Sequence, residues 1–176
     1  MARVSLVEKE QAHPKVKELY QKMEDHGAQL LNLFKVMGHC PYVGLNFQRL
    51  GNSIILGEEL PATLRELAIL RVGSLNGSEY EFRQHTRIGL EAGVREKQID
   101  EIGDWANSTE FNDQERVVLQ YTDEVTLYIG AADRTFAMLQ EFLSEHAIVE
   151  LTTAIAYYGM VCRILVALQV EPEPDS

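Results

Sequence analysis

From Lys15 to Leu168 apolar side chains recur every three or four residues, and no segment alternates apolar with polar positions as a half-buried strand would. The chain is therefore expected to fold as an all-α bundle of about eight helices. Lys15–Asp25 reads as the first helix, with Val16, Leu19, Tyr20 and Met23 on one stripe and Gly27 past its end. Ala28–Met37 follows. A third helix opens at Pro41 and runs to about Leu56, with Val43, Phe47, Leu50 and Ile54 expected inside. Pro61 opens the next, which closes at Asn76-Gly77, and Ser78 caps a helix that Gly93 ends. A short helix at Glu96–Ile102 and a loop at Gly103–Phe111 come before a helix capped by Asn112 and Asp113. That helix extends to Tyr128, with Val117, Tyr121, Val125 and Tyr128 as its buried stripe. Arg134–Ser144 and His146–Leu168 complete the set. The last is apolar nearly all round and should be buried on several sides, partly by another subunit.

A chain of 176 residues fits one domain. Its net charge of −11 repels polyanions, so no nucleic-acid partner is expected. The two cysteines, Cys40 and Cys162, form no C-x-x-C pair, and the reading is a reducing, cytoplasmic setting. The longest nearly uncharged stretch, Leu151–Cys162, has 12 residues. A bilayer span takes ~20, so no membrane segment is expected.

The segment Ser78–Glu91 carries the chemistry. Glu79, Arg83, Arg87 and Glu91 follow i, i+4 spacing and make a solvated stripe. Glu81 and His85 point roughly 160° away from Arg83, on the side of Phe82, Ile88 and Gly89. A carboxylate and an imidazole thus lie one turn apart on an inward face, where unpaired polar groups are costly. The pair suits proton transfer in a water-poor cleft. It equally suits a structural ion pair bracing two helices. A cavity beside His85 would favour the first role, a sealed pair the second.

The segment LPATLRELAILRVGSLNGSEYEFRQHTRIGLEAGV resembles the core helical hairpin of the carboxymuconolactone decarboxylase and alkylhydroperoxidase D superfamily, and IAYYGMVCRILVALQV resembles its late helix. The resemblance implies a single domain over 1–176, with residues 1–40 as a helical extension and 41–168 as the family-like core. The tail, 171–176, is expected to be disordered. The alkylhydroperoxidase D pattern is a glutamate, eleven residues, then C-x-x-C-x-x-x-H. With His85 as its histidine, Glu66 is retained, while Ser78 and Glu81 stand at the cysteine positions. The dithiol cycle of that branch needs a thiolate nucleophile, which these positions lack. The decarboxylase branch carries a glutamate four residues before its histidine, as Glu81 and His85 do.

The implied function is a cofactor-independent lyase or isomerase acting on a small carbonyl or carboxylate compound, in a homo-oligomer (trimer, hexamer or dimer). Its catalytic set is His85, Glu81 and Glu66, with Ser78 as a substrate contact. Arg71 and Arg163 could clamp a carboxylate, or could answer a buried glutamate or a helix C-terminus. Tyr158, beside Tyr157, lines a pocket or belongs to the core. With no H-E-x-x-H and no second histidine on the Glu81–His85 face, no metal and no cofactor are expected. Two other classes remain open: an antioxidant protein using Cys40 or Cys162, and a non-catalytic binding or assembly protein.

Overall fold

A computed structural model describes residues 2–173, which form nine α-helices and one short 3-10 turn with no strand among them. The chain resolves into two compact units. One comprises the residues up to Ser53 together with those from Ile164 on, and the other is Ile54–Arg163. The division falls within α3 (Pro41–Leu56) and α9 (Glu145–Leu168), not at residue 40.

In the first unit, α1 (Pro14–Asp25) starts at a proline in its first turn, where the missing N–H costs nothing. It buries Val16 and Tyr20 alongside Ala12. The Tyr20 hydroxyl donates to the carbonyls of Val7 (3.2 Å) and Phe34 (3.1 Å), which satisfies a phenol that burial would otherwise strand. α2 spans Asn32–Met37, four residues shorter at its start than the apolar pattern implied. α3 departs further from expectation. Phe47 is buried, but Val43 is 61% exposed and Leu50 is exposed too. Tyr42, Val43, Leu45, Phe47, Leu50 and Ile54 spread apolar side chains over more than one face, so their spacing picks out no single inward stripe. The tail is ordered where it is described: the Glu171 carbonyl accepts from Asn32 Nδ2 (3.0 Å), and the Glu173 carboxylate accepts the Asn32 N–H. Its last three residues, 174–176, lie outside the described residues.

In the second unit, α4 (Ala62–Leu75) packs against α5 (Glu79–Glu91), α7 (Asp113–Tyr128) and the 3-10 turn Ile102–Asp104 that follows α6 (Glu96–Glu101). α8 (Asp133–Gln140) packs on α7. Every residue of α4 from Leu64 to Gly73 is buried. Two glycines permit the close approach of α5. A Cβ on Gly73 would lie 3.4 Å from the Phe82 nitrogen, and one on Gly89 would lie 3.3 Å from Leu70 Cδ1. α4 and α5 end by the same device. Gly77 (φ +61°) and Gly93 (φ +95°) adopt left-handed backbone, while Ser78 N–H reaches Gly73 O (3.0 Å) and Val94 N–H reaches Gly89 O (2.8 Å). α7 begins with a reciprocal cap between Asn112 and Glu115, each side chain taking the other's backbone N–H at 2.9 Å. Its expected stripe holds at Val117 and Tyr121 and fails at Tyr128, which is 76% exposed near the helix end.

α9 buries Leu151, Ala154, Ile155, Tyr158, Val161 and Cys162 but leaves Val149 and Met160 exposed, so one side of this helix is open. By length and composition it could cross a bilayer, yet half of its apolar window is buried inside the protein, as in a core helix.

Candidate active site

α4 and α5 bring the expected catalytic residues together within the second unit. The Glu66 side chain is 0% exposed and lies between Arg65 and His85. Arg65 Nε donates to Glu66 Oε1 (3.0 Å), and His85 Nδ1 meets Glu66 Oε2 at 2.7 Å. An ionised carboxylate only accepts, so His85 carries its proton on Nδ1 in that bond. Its other ring nitrogen, Nε2, then faces Glu81 Oε2 at 3.5 Å. This is too long for a strong hydrogen bond and short enough for a proton to be shared after a small movement. The order Arg65–Glu66–His85–Glu81 is a relay anchored firmly at one end and loosely at the other.

Burial is the largest influence on Glu81 and pushes its carboxyl above the ordinary range; His85 opposes that shift and Glu66 adds to it. Tyr158 sets its ring edge-on to the imidazole (centroids 4.6 Å apart, planes at 81°), and Tyr157 packs edge-on to Tyr158 at 5.2 Å. Burial and the Glu81 charge raise both phenols, which stay protonated. Cys162 joins the cluster from α9. Burial, with Glu81 next in weight, pushes its thiol up to about 12, opposite to what a thiolate nucleophile needs. The Ser78 hydroxyl lies beside that thiol and offsets the rise, but closes no hydrogen bond of acceptable geometry and is left buried without a partner.

The other expected ligand residues lie elsewhere. Arg71 is occupied: Nε and Nη2 fork onto Asp123 (2.6 and 2.9 Å), and Nη1 donates to the carbonyls of Ile102 and Gly103 (both 3.0 Å). It is structural, because a side chain with every donor on one side engaged has nothing to offer a substrate. Arg163 is exposed, and its Nη1 donates to Gly159 O on its own helix (2.7 Å). Neither reaches the Glu66–His85 cluster. Glu66 is fully interior, since every residue of α4 from Leu64 to Gly73 is buried. The residue that sequence reasoning missed is Arg65. Its signal was there to read: an Arg-Glu pair in a helix apolar on every side must answer its charge locally.

His85 and Glu81 are 4% and 5% exposed. An open cleft of 390 Å³ reaches Ser78 and is walled by Gly73, Glu79, Phe82 and Ile102. Among the described residues no group of three or more His, Cys, Asp or Glu side chains is arranged to hold a metal ion.

Residues 41–124 match the carboxymuconolactone decarboxylase family. Over that stretch the chain is similar to the carboxymuconolactone decarboxylase family, and its fold is that of alkylhydroperoxidase D-like helical proteins. Its fold is that of the debrominase Bmp8, solved as a cysteine-to-alanine variant in complex with 2,3,4-tribromopyrrole, at 21% identity and TM-score 0.79 over 99% of this chain and 95% of that one. A peroxidase-related protein with an alkylhydroperoxidase AhpD core from Ralstonia eutropha JMP134 superposes at TM-score 0.85 with 15% identity, over 99% and 93%. A protein of unknown function from Agrobacterium tumefaciens, suggested for AhpD antioxidant defence, shares 27% identity over 77% of this chain and 94% of its own, at TM-score 0.71. No curated protein matches the sequence.

Proposed function

We propose that this protein is a cofactor-independent lyase or isomerase that moves a proton on a small carbonyl or carboxylate compound, with His85 and Glu81 as the proton-transferring pair. The observation that supports this reading is the asymmetry of the relay. Glu66 and Arg65 fix the imidazole from behind, while Nε2 and the Glu81 carboxyl meet at 3.5 Å with capacity to spare. A carboxyl lifted above its ordinary range by burial holds its proton more firmly than an exposed glutamate and can yield it to a developing carbanion, with His85 restoring it. The cleft at Ser78 is the proposed approach for substrate, with that unpartnered hydroxyl as a contact. A homo-oligomer in the cytoplasm belongs to the same proposal, and the open side of α9 at Val149 and Met160 supports the assembly.

A second reading rests on a different observation. His85 and Glu81 are almost fully enclosed, which suits a brace between α4 and α5 in a binding or assembly protein. One experiment separates the two. The folded protein is incubated in D₂O with a panel of small keto acids, lactones and unsaturated dicarboxylates, and solvent exchange or turnover is followed by NMR. We expect a substrate to emerge whose turnover falls by about 10²–10⁴-fold in His85→Gln and Glu81→Gln at native folding. Unchanged turnover in folded His85→Gln would remove the imidazole from the mechanism. Loss of stability alone, with no turnover in the parent protein, would favour the brace.

A further inference from the structure

The first unit contains a cleft unconnected with the relay. It has a volume of 630 Å³ and lies between one face of α1 and one face of α3. Lys15, Leu19, Lys22 and His26 follow helical spacing on α1, and Tyr42, Leu45, Arg49 and Asn52 do so on α3. Leu19, Met23 and Leu45, all half-buried, supply its apolar surface. The rim is cationic in a chain whose net charge is −11: Lys15, Lys22 and Arg49 stand against a single lining carboxylate, Glu18. Glu18 forms no close ion pair with Lys15 or Lys22, its helical neighbours, among the described residues. Among the described residues neither Lys22 nor Arg49 enters an ion pair. Lys15 lies over the Tyr42 ring, 5.0 Å from its centroid. Lys22 stands in the last turn of α1, where a cation complements the helix C-terminus, so that position has a local explanation. Arg49 sits in the middle of α3 and has none.

We propose that this cleft binds a small amphipathic organic anion, a carboxylate or sulfonate carried on an aromatic or short aliphatic body. The body would rest on Leu19, Met23, Leu45 and the Tyr42 ring, and the anionic head would lie between Lys22 and Arg49. Two uncompensated cations above an apolar floor are what such a ligand needs, and what a neutral or cationic one would not favour.

The test uses the full chain and 8-anilinonaphthalene-1-sulfonate, an aromatic monoanion whose fluorescence rises on binding. Its neutral analogue, N-phenyl-1-naphthylamine, serves as control. We expect one saturable site for the sulfonate, weakened about tenfold in the double variant Lys22→Gln/Arg49→Gln and by added salt. The neutral analogue should bind the parent more weakly and be indifferent to both changes. Decanoate should displace the sulfonate from the parent protein. All the substituted side chains are exposed, and circular dichroism melts of parent and variant verify folding. Absence of saturable sulfonate binding, or equal affinity in parent and double variant, overturns the proposal.

Discussion

Arg65 and Arg71 stand on the same buried helix, and each answers a carboxylate, yet their surroundings differ in kind. Arg71 and Asp123 form a closed set. Asp123 receives two guanidinium bonds and the Trp105 indole N–H at 3.1 Å, while the remaining Arg71 donors go to two carbonyls. Arg65 begins a set that does not close. Glu66 is doubly engaged, but His85 Nε2 and Glu81 meet only at 3.5 Å, and Ser78 Oγ has no partner. Burying charge costs several kcal/mol per ion, so a site built purely for stability satisfies every donor and acceptor, as the Arg71 set does. Incomplete satisfaction in the other set is tolerated strain or chemical purpose, and the two can be told apart.

The largest effect should come from breaking the closed set. Arg71→Met strips Asp123 of its counterion and two carbonyls of their donors, so urea unfolding should show a loss of about 3–5 kcal/mol. Turnover per folded molecule should be unaffected. If Arg71→Met instead abolished turnover at native stability, the division between the two sets would be wrong.

The open set should respond to pH. Because burial raises the Glu81 carboxyl in the folded protein, the native state holds its proton more tightly than the unfolded chain does. Glu81 therefore penalises the fold least below the ordinary glutamate range, and the penalty grows as pH rises from there through its raised value. Glu81→Gln carries no such penalty. Its stability relative to the parent should increase steadily as pH rises from the ordinary glutamate range, read from paired denaturation curves. A difference that stays flat with pH would mean that Glu81 is ordinary.

The smallest effect concerns Ser78. Ser78→Ala removes a buried hydroxyl that no group satisfies, so stability should hold or rise by about 0.5–1 kcal/mol. If Ser78 contacts substrate, KM should rise while the melting temperature does not fall. A marked loss of stability would show that the hydroxyl has a structural partner after all.

Where helix ends are marked by chemistry, the sequence was readable. Gly77, Gly93 and the capping Asn112 each mark a boundary through a backbone requirement that few residues meet, and α4, α5 and α7 lie where those marks place them, with Asp113 inside the helix as its first residue. The convergence of Glu81 and His85 also followed from spacing, because an amphipathic helix has a definable inside. The same argument does not extend to Glu66 and Arg71. α4 is enclosed on all sides, so angular distance from an apolar stripe says nothing about exposure. Which of its two arginines serves the cluster is decided by what packs opposite, namely Asp123 on α7 and His85 on α5. Cys162 illustrates the remaining limit. It lies 84 positions along the chain from Ser78, and only tertiary packing makes them neighbours.

The matched glycine turns at the two ends of α5 have a consequence for how such a site can change over generations. They leave thirteen residues for the helix, the first turn closing α4 onto its Gly73 carbonyl and the second closing α5 onto its own Gly89 carbonyl, so its length is as constrained as its composition. One extra residue between Glu81 and His85 would swing the imidazole about 100° around the axis, away from Glu66. Point replacement at Ser78 or Glu81 leaves that geometry standing. The frame therefore accepts point changes at Ser78 and Glu81, while insertions and deletions in the interval Gly77–Gly93 break it.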